Sequence, residues 1–204
     1  MKKFIGVLVV LGVLAIAVFA VISWGVGVYN QIVQLEETVN EKWSQVQNVY
    51  QRRADLIPNL VQTVKGYAAH EQETLTQVVE ARAKATSISG DALKNLVNDP
   101  AAMAKFQEAQ SGLSSALSKL MVVVERYPDL KANQNFLELQ SQLEGTENRI
   151  AVERKRFNEA AREYNTYIKK IPQKFVASYK GAKEKAYFEA EATAQKVPTV
   201  DFGK

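Results

Sequence analysis

The sequence predicts an all-α protein: an N-terminal transmembrane helix followed by an antiparallel up-and-down four-helix bundle. Three observations predict it. Residues Phe4 to Val28 make twenty-five positions without a charge, directly behind Met1-Lys2-Lys3. Beyond them apolar residues recur at steps of three and four, and runs of alternating apolar and polar residues are missing. Prolines and turn clusters then cut that pattern into helix-length pieces. The expected organisation is an anchor over 1–29, a bundle over 30–171, and a C-terminal helix with an extended tail over 172–204.

At about 1.5 Å of rise per residue the apolar run spans roughly 37 Å, and a hydrocarbon layer needs only about 30 Å. A secretory signal also starts basic and apolar, and Ala15-Ile16-Ala17 or Phe19-Ala20 resembles a cleavage site. Signal cores stop near 15 residues, however, and this run continues past both candidates. The chain has no cysteine, which excludes the lipid-modified cysteine of a lipoprotein. Trp24 and Tyr29 fall at the distal end, where amphipathic rings favour the headgroup layer. Phe4–Val28 is therefore expected to contact the lipid bilayer.

Flanking charge sets the expected orientation. Lys2 and Lys3 precede the run, whereas Glu36, Glu37 and Glu41 outnumber Lys42 just beyond it. Lys and Arg beside a span stay cytoplasmic, so the N-terminus belongs inside the cytoplasmic (inner) membrane and the bundle on its outer, periplasmic side.

The first bundle stripe reads Ile32, Leu35, Val39, Trp43, Val46 and Tyr50, with no Gly or Pro between Asn30 and Arg53. Continuous helix across Tyr29–Asn40 follows, so the anchor runs straight into the bundle as a stalk. Pro58 lacks an N–H and clashes with the carbonyl four residues earlier, so a break or kink is expected near Asp55–Pro58, with Asp55 capping a new helix. That helix carries Leu60, Val61, Val64, Tyr67, Leu75, Val78 and Ala81, up to the turn cluster Ser87–Asp91. Asn98-Asp99-Pro100 reads as an N-cap with proline in the first helical position. A third stripe runs from Met103 through Phe106, Leu113, Leu120 and Val124 to a turn at Tyr127-Pro128-Asp129. The fourth joins Phe136, Leu143, Ile150, Phe157, Tyr164 and Ile168 and stops at Pro172. Phe175, Tyr179, Tyr187 and Phe188 fit a short further helix, and Val197–Phe202 reads as extended.

Composition excludes several classes. The whole chain has 26 Lys+Arg against 22 Asp+Glu, a net charge of +4, and no basic face that points to nucleic acid. Without cysteine there are no disulfides and no thiolate metal sites. His70-Glu71-Gln72-Glu73-Thr74 differs by one residue from a zincin helix, but that chemistry needs two imidazoles one turn apart and His70 is the only histidine. For the same reason a di-iron bundle site is excluded. No serine elbow accompanies His70, and the glycines Gly25 and Gly27 lie inside the anchor rather than after a strand. The expectation is no catalytic residue, no cofactor and no metal.

The remaining polar signals are structural or interaction candidates. Glu147 and Arg154 interrupt or flank the fourth stripe, while Arg52, Arg53, Asp55 and Pro58 stand where the first one ends. A semi-buried charge network between the first and fourth bundle helices is expected, either setting their register or offering a docking patch.

Two long strings carry a resemblance. YNQIVQLEETVNEKWSQVQNVYQRRADLIPNLVQTVKGYAAHEQETL (Tyr29 to Leu75) resembles the LemA family of bacterial membrane proteins, as does the stretch from Leu113 to Ile168 with YPDLKA and GTENRIAVERKRFNEA. The ending YFEAEATAQKVPTVDF is similar to the family's own, whereas Lys84 to Asn98 is not distinctive, and Tyr179–Ala186 departs from the expected glycine- and proline-bearing form. The resemblance implies one N-terminal span and a helical domain without known activity, and a magnetosome-associated relative implies a role in organising membrane. The reading that follows is a non-enzymatic scaffold or adaptor for unidentified envelope proteins. The alternative is a homo-oligomer that shapes a membrane patch.

Overall fold

A computed structural model describes residues 2–88 and 90–189. All regular structure among them is helical. α1 spans Lys2–Tyr67, 66 residues without interruption. It is followed by α2 (Gln72–Thr86), the short α3 (Gly90–Asn95) and a 3-10 turn at Leu96–Asn98. α4 covers Pro100–Val124, α5 Pro128–Lys131, α6 Gln134–Lys169 and α7 Gln173–Lys180.

The Tyr29–Asn40 junction is helical, as the unbroken stripe requires. Along α1 the environment changes at Val28. Phe4, Leu14 and Phe19 are more than half exposed, whereas Val28, Ile32, Val39, Trp43 and Val46 are buried against the rest of the protein. One helix thus carries a segment suited to lipid and a segment packed in protein. Between Asn30 and Arg53 the chain has no Gly or Pro, which favours continuous helix where the two segments meet.

Of the break or kink expected near Asp55–Pro58, the break does not occur. α1 passes through Pro58, and the turn falls at residues 68–71 instead. The reason lies on α2. Proline removes the donor for the Ala54 carbonyl, and Arg82 Nε donates to that carbonyl at 2.7 Å. The orphan is satisfied from outside, so the helix continues. Asp55 accordingly caps nothing; it is an exposed mid-helix residue that accepts from Gln51 Nε2 at 2.7 Å. Leu60, Val61, Val64 and Tyr67 belong to α1, and only Leu75, Val78 and Ala81 to α2.

Other boundaries follow their local chemistry. Asp99 accepts from the amides of Ala101 (2.9 Å) and Ala102 (3.1 Å) ahead of α4, with Pro100 in the first turn. Asn133 caps α6 through Phe136 N at 3.0 Å. α7 ends on Gly181, whose φ of 72° is left-handed backbone that glycine adopts without strain. α7 stops short of Tyr187 and Phe188, which lie in a non-helical segment over 182–189. The Val197–Phe202 tail lies outside the described residues.

α1 and α6 are antiparallel neighbours. Trp43 meets Phe157 at 5.5 Å between ring centroids, and Arg53 meets Glu147 at 2.8 Å. Beyond Arg53, away from the apolar segment, Ile57, Leu60 and Val64 pack with Val78, Leu120 and Phe136, from α2, α4 and α6. On the near side Trp43, Phe106 and Phe157 pack with Leu96, Val97, Ala177 and Phe188. There α2 is absent, and the 3-10 turn, α7 and the 182–189 segment close the core in its place.

Candidate functional site

Arg53 lies at the boundary between those two cores. It is only 2% exposed, and it is held by side chains of α4 and α6 and by Tyr50 of its own helix. Its Nη1 donates to Glu147 Oε2 (2.8 Å) on α6 and Ser114 Oγ (3.0 Å) on α4, and its Nη2 donates to Gln110 Oε1. The guanidinium also stacks over Tyr50 at 5.2 Å from the ring centroid. Gln110 in turn donates from Nε2 to the Ala85 carbonyl at the end of α2 (3.0 Å). One buried cation therefore touches or is relayed to all four long helices. A planar, always-charged fork with several donors suits that geometry, whereas an ammonium does not.

The structure brings Arg53 and Glu147 together and leaves the other candidates elsewhere. Arg52 and Asp55 are exposed, and Pro58 sits on the outer side of α1. Arg154 does not join the network. Its Nη2 donates to the Glu189 carbonyl at 3.1 Å, and its guanidinium lies 4.8 Å from the Phe188 ring centroid, so it clasps the non-helical segment. His70 is an exposed turn residue rather than a helix-surface one. Trp24 and Tyr29 are partly exposed near the end of the apolar run. The side chains of Lys2 and Lys3 fall outside the described set.

The second constellation fastens residues 182–189 along α6. Asn165 accepts from Lys185 N (2.8 Å) and donates to Lys185 O (2.9 Å). Asn158 repeats the pattern on Phe188, with 2.9 Å and 2.8 Å. A carboxamide has the donor and acceptor of a peptide group, so each asparagine pairs with the backbone as a neighbouring strand would. The spacing matches as well. Seven helical residues rise about 10.5 Å, and three extended residues span about 10 Å. On the other side Ala186 N donates to Val97 O at 2.8 Å and Glu189 N to Gln107 Oε1 at 3.1 Å.

Lys185 reaches from this strap into the core. Its Nζ donates to Glu36 Oε1 and Asn98 Oδ1, each at 2.8 Å, and lies 5.1 Å from the Tyr164 ring centroid. Lys180 donates to the other Glu36 oxygen at 2.6 Å. Burial pulls the Glu36 carboxyl up, but the hydrogen bonds and charges of the two lysines outweigh it and hold it below its ordinary value. Burial, aided by the charge on Glu36, pushes the Tyr164 hydroxyl up to about 12. At the opposite end Tyr127 donates to Glu71 at 3.0 Å, which raises the phenol above its usual value.

Among the described residues no group of three or more His, Cys, Asp or Glu side chains is placed to bind a metal ion. The sequence marked Glu147 as a charge in or beside the fourth stripe and Arg53 as one of several residues where the first stripe ends, without pairing them. Gln110 left a similar signal, a polar residue in apolar phase between Phe106 and Leu113. Asn158 and Asn165, seven apart beside Phe157 and Tyr164, left a weaker one. Arg82, Glu36 and Lys185 left none, because their partners stand far away in sequence.

The pattern of the LemA family matches residues 42–202. Over 175 residues the chain is 30% identical to "Magnetosome protein MamQ 2" of Paramagnetospirillum magneticum, covering 79% of this chain and 64% of that protein. It is 29% identical over 174 residues to "Magnetosome protein MamQ" of Magnetospirillum gryphiswaldense, covering 78% and 64%. To "Protein LemA" of Metamycoplasma hominis it is 24% identical over 143 residues, covering 70% and 60%. The chain thus spans less than two thirds of the length of these relatives.

Proposed function

The chain belongs to the LemA family, and from that premise we propose that it is a non-enzymatic, membrane-anchored scaffold or adaptor. In this reading the 1–29 segment spans the cytoplasmic membrane with its N-terminus inside. The 30–171 domain, an up-and-down bundle of the four long helices, stands on the outer face and presents helix surfaces to envelope proteins, with 172–204 as its closing segment. The observation that carries the proposal is the unbroken α1, which couples a lipid-suited segment rigidly to a protein core. The Arg53–Glu147 network supports it as a device that sets the helix register, since Arg53 is sealed inside rather than offered to a partner.

Proximity labelling from the C-terminus in living cells tests it. Enrichment of other envelope proteins on the outer side is expected, and labelling confined to cytoplasmic proteins rejects the orientation.

The magnetosome relatives favour a second reading, self-assembly that organises a membrane patch. Crosslinking in native membranes separates the two: homo-oligomer ladders support assembly, whereas heterologous products support the adaptor.

A further inference from the structure

The register of α1 against α6 fixes the height of the α6–α7 turn. From Arg53–Glu147 to Trp43–Phe157 both helices step ten residues toward the apolar segment. Eleven more residues set Ile168 opposite Ile32, and three beyond that bring Ile171 level with Tyr29. The Lys180–Glu36 bond agrees, because it returns the far end of α7 to a level about 10 Å higher along α1. The turn therefore sits where the lipid-suited part of α1 gives way to its packed part.

What the turn exposes at that height is unusual for a water-facing loop. Ile171, in the turn, is 77% exposed and Phe175, in the first turn of α7, 70%, and Lys170 and Lys174 stand exposed beside them. Neither lysine has an ion pair among the described residues, whereas Lys169 and Lys180 pair with Glu184 and Glu36. Apolar side chains ringed by unpaired cations fit an interface with acyl chains below and anionic headgroups around it.

We propose that the Lys170–Phe175 turn is a second lipid contact, seated in the headgroup layer of an anionic bilayer beside the span. The proposal rests on Phe4–Val28 being in the membrane. Ile171 and Phe175 enter the acyl boundary, and Lys170 and Lys174 meet lipid phosphates. α7 then runs outward, so depth falls from Ile171 to Phe175 to Tyr179.

The absence of cysteine makes the test direct. The full chain, carrying Ile171→Cys, Phe175→Cys or Tyr179→Cys one at a time, takes a single environment-sensitive fluorophore and is reconstituted into vesicles of phosphatidylglycerol and phosphatidylcholine. Leu14→Cys controls for the span, and Val122→Cys, an exposed apolar site on α4, for the water-facing domain. Brominated lipid is expected to quench Ile171 and Phe175 several-fold more than Val122, with Tyr179 in between and iodide giving the reverse order. Quenching at Phe175 should weaken in pure phosphatidylcholine and in a Lys170→Glu/Lys174→Glu background. Equal quenching with and without anionic lipid overturns the anionic assignment. Iodide access at Ile171 and Phe175 equal to that at Val122, with Leu14 shielded, overturns the contact while sparing the anchor. Shielding from both quenchers marks a protein contact, such as a second copy, and overturns it too. Iodide access at Leu14 overturns the anchor itself, and the contact with it.

Discussion

The halves of the helical domain on either side of Arg53 share α1 and α6 but complete their cores by different means. Beyond Arg53, α2 and α4 supply two more helices, and the gaps are filled by branched aliphatic residues such as Ile57, Leu60, Leu113 and Leu120. Toward the apolar segment α2 has ended, and its place beside α1 and α6 is left to other groups. Large rings fill it. Trp43 packs against Phe106, Phe157 and Phe188 with centroids 5.5–6.0 Å apart, and the strap is bonded to asparagine amides in place of a helix. Aromatic bulk and two carboxamides there stand in for the missing helix, which makes that half the more dependent on a few residues.

Trp43→Ala is expected to have the largest effect. It opens the aromatic core, frees the Leu93 carbonyl that accepts from the indole at 3.0 Å, and costs about 3–5 kcal/mol in denaturant unfolding. Hydrogen exchange sharpens the comparison: residues 182–189 should lose protection while α2 and α4 keep theirs. Uniform loss would mean that the two halves are one cooperative unit. Arg53→Ala removes the joint between them and is expected to cost about 2–3 kcal/mol. Glu147→Gln should cost under about 1 kcal/mol, because Glu147 is more than half exposed and its ion pair is screened.

Asn165→Ala and Asn158→Ala each leave a strap N–H and C=O without their partner, at about 1–3 kcal/mol apiece. Exchange at Lys185 and Phe188 reads the loss residue by residue, and unchanged protection at both would refute the ladder. In the other half, Arg82→Ala should cost about 1 kcal/mol when Pro58 is present and almost nothing in Pro58→Ala, which restores the donor to Ala54. Equal costs in both backgrounds would show that Arg82 does not serve that carbonyl. The smallest effect is on pH dependence. The Glu36 carboxyl is held below its ordinary 4.5. Its contribution to the strap is therefore present above about pH 4.5 and lost as pH falls through the lowered value. Acid should speed exchange at Lys185 before it affects α2 and α4.

Legibility in the sequence divides along the same line. The stripes of α1, α4 and α6 were readable because straight helices keep period 3.6, and the cap at Asp99 was readable from local contrast, whereas Arg53 and Glu147 were marked only among several charged candidates and not as a pair. Pro58 misled because its remedy stands 24 residues further along, on α2. The strap was hidden because it keeps no alternating pattern of its own. Its order comes from Asn158 and Asn165, and such side-chain pairing is invisible until two distant segments share a spacing.

With Phe4–Val28 in the membrane as proposed above, the uninterrupted α1 also makes the molecule a lever. From Val28 to Tyr67 the helix extends about 58 Å. A tilt of about 20°, the average for membrane helices, swings its far end sideways by about 20 Å. A bilayer that thins or thickens by a few ångströms would thus be read out, magnified, as the position of the Tyr67 end.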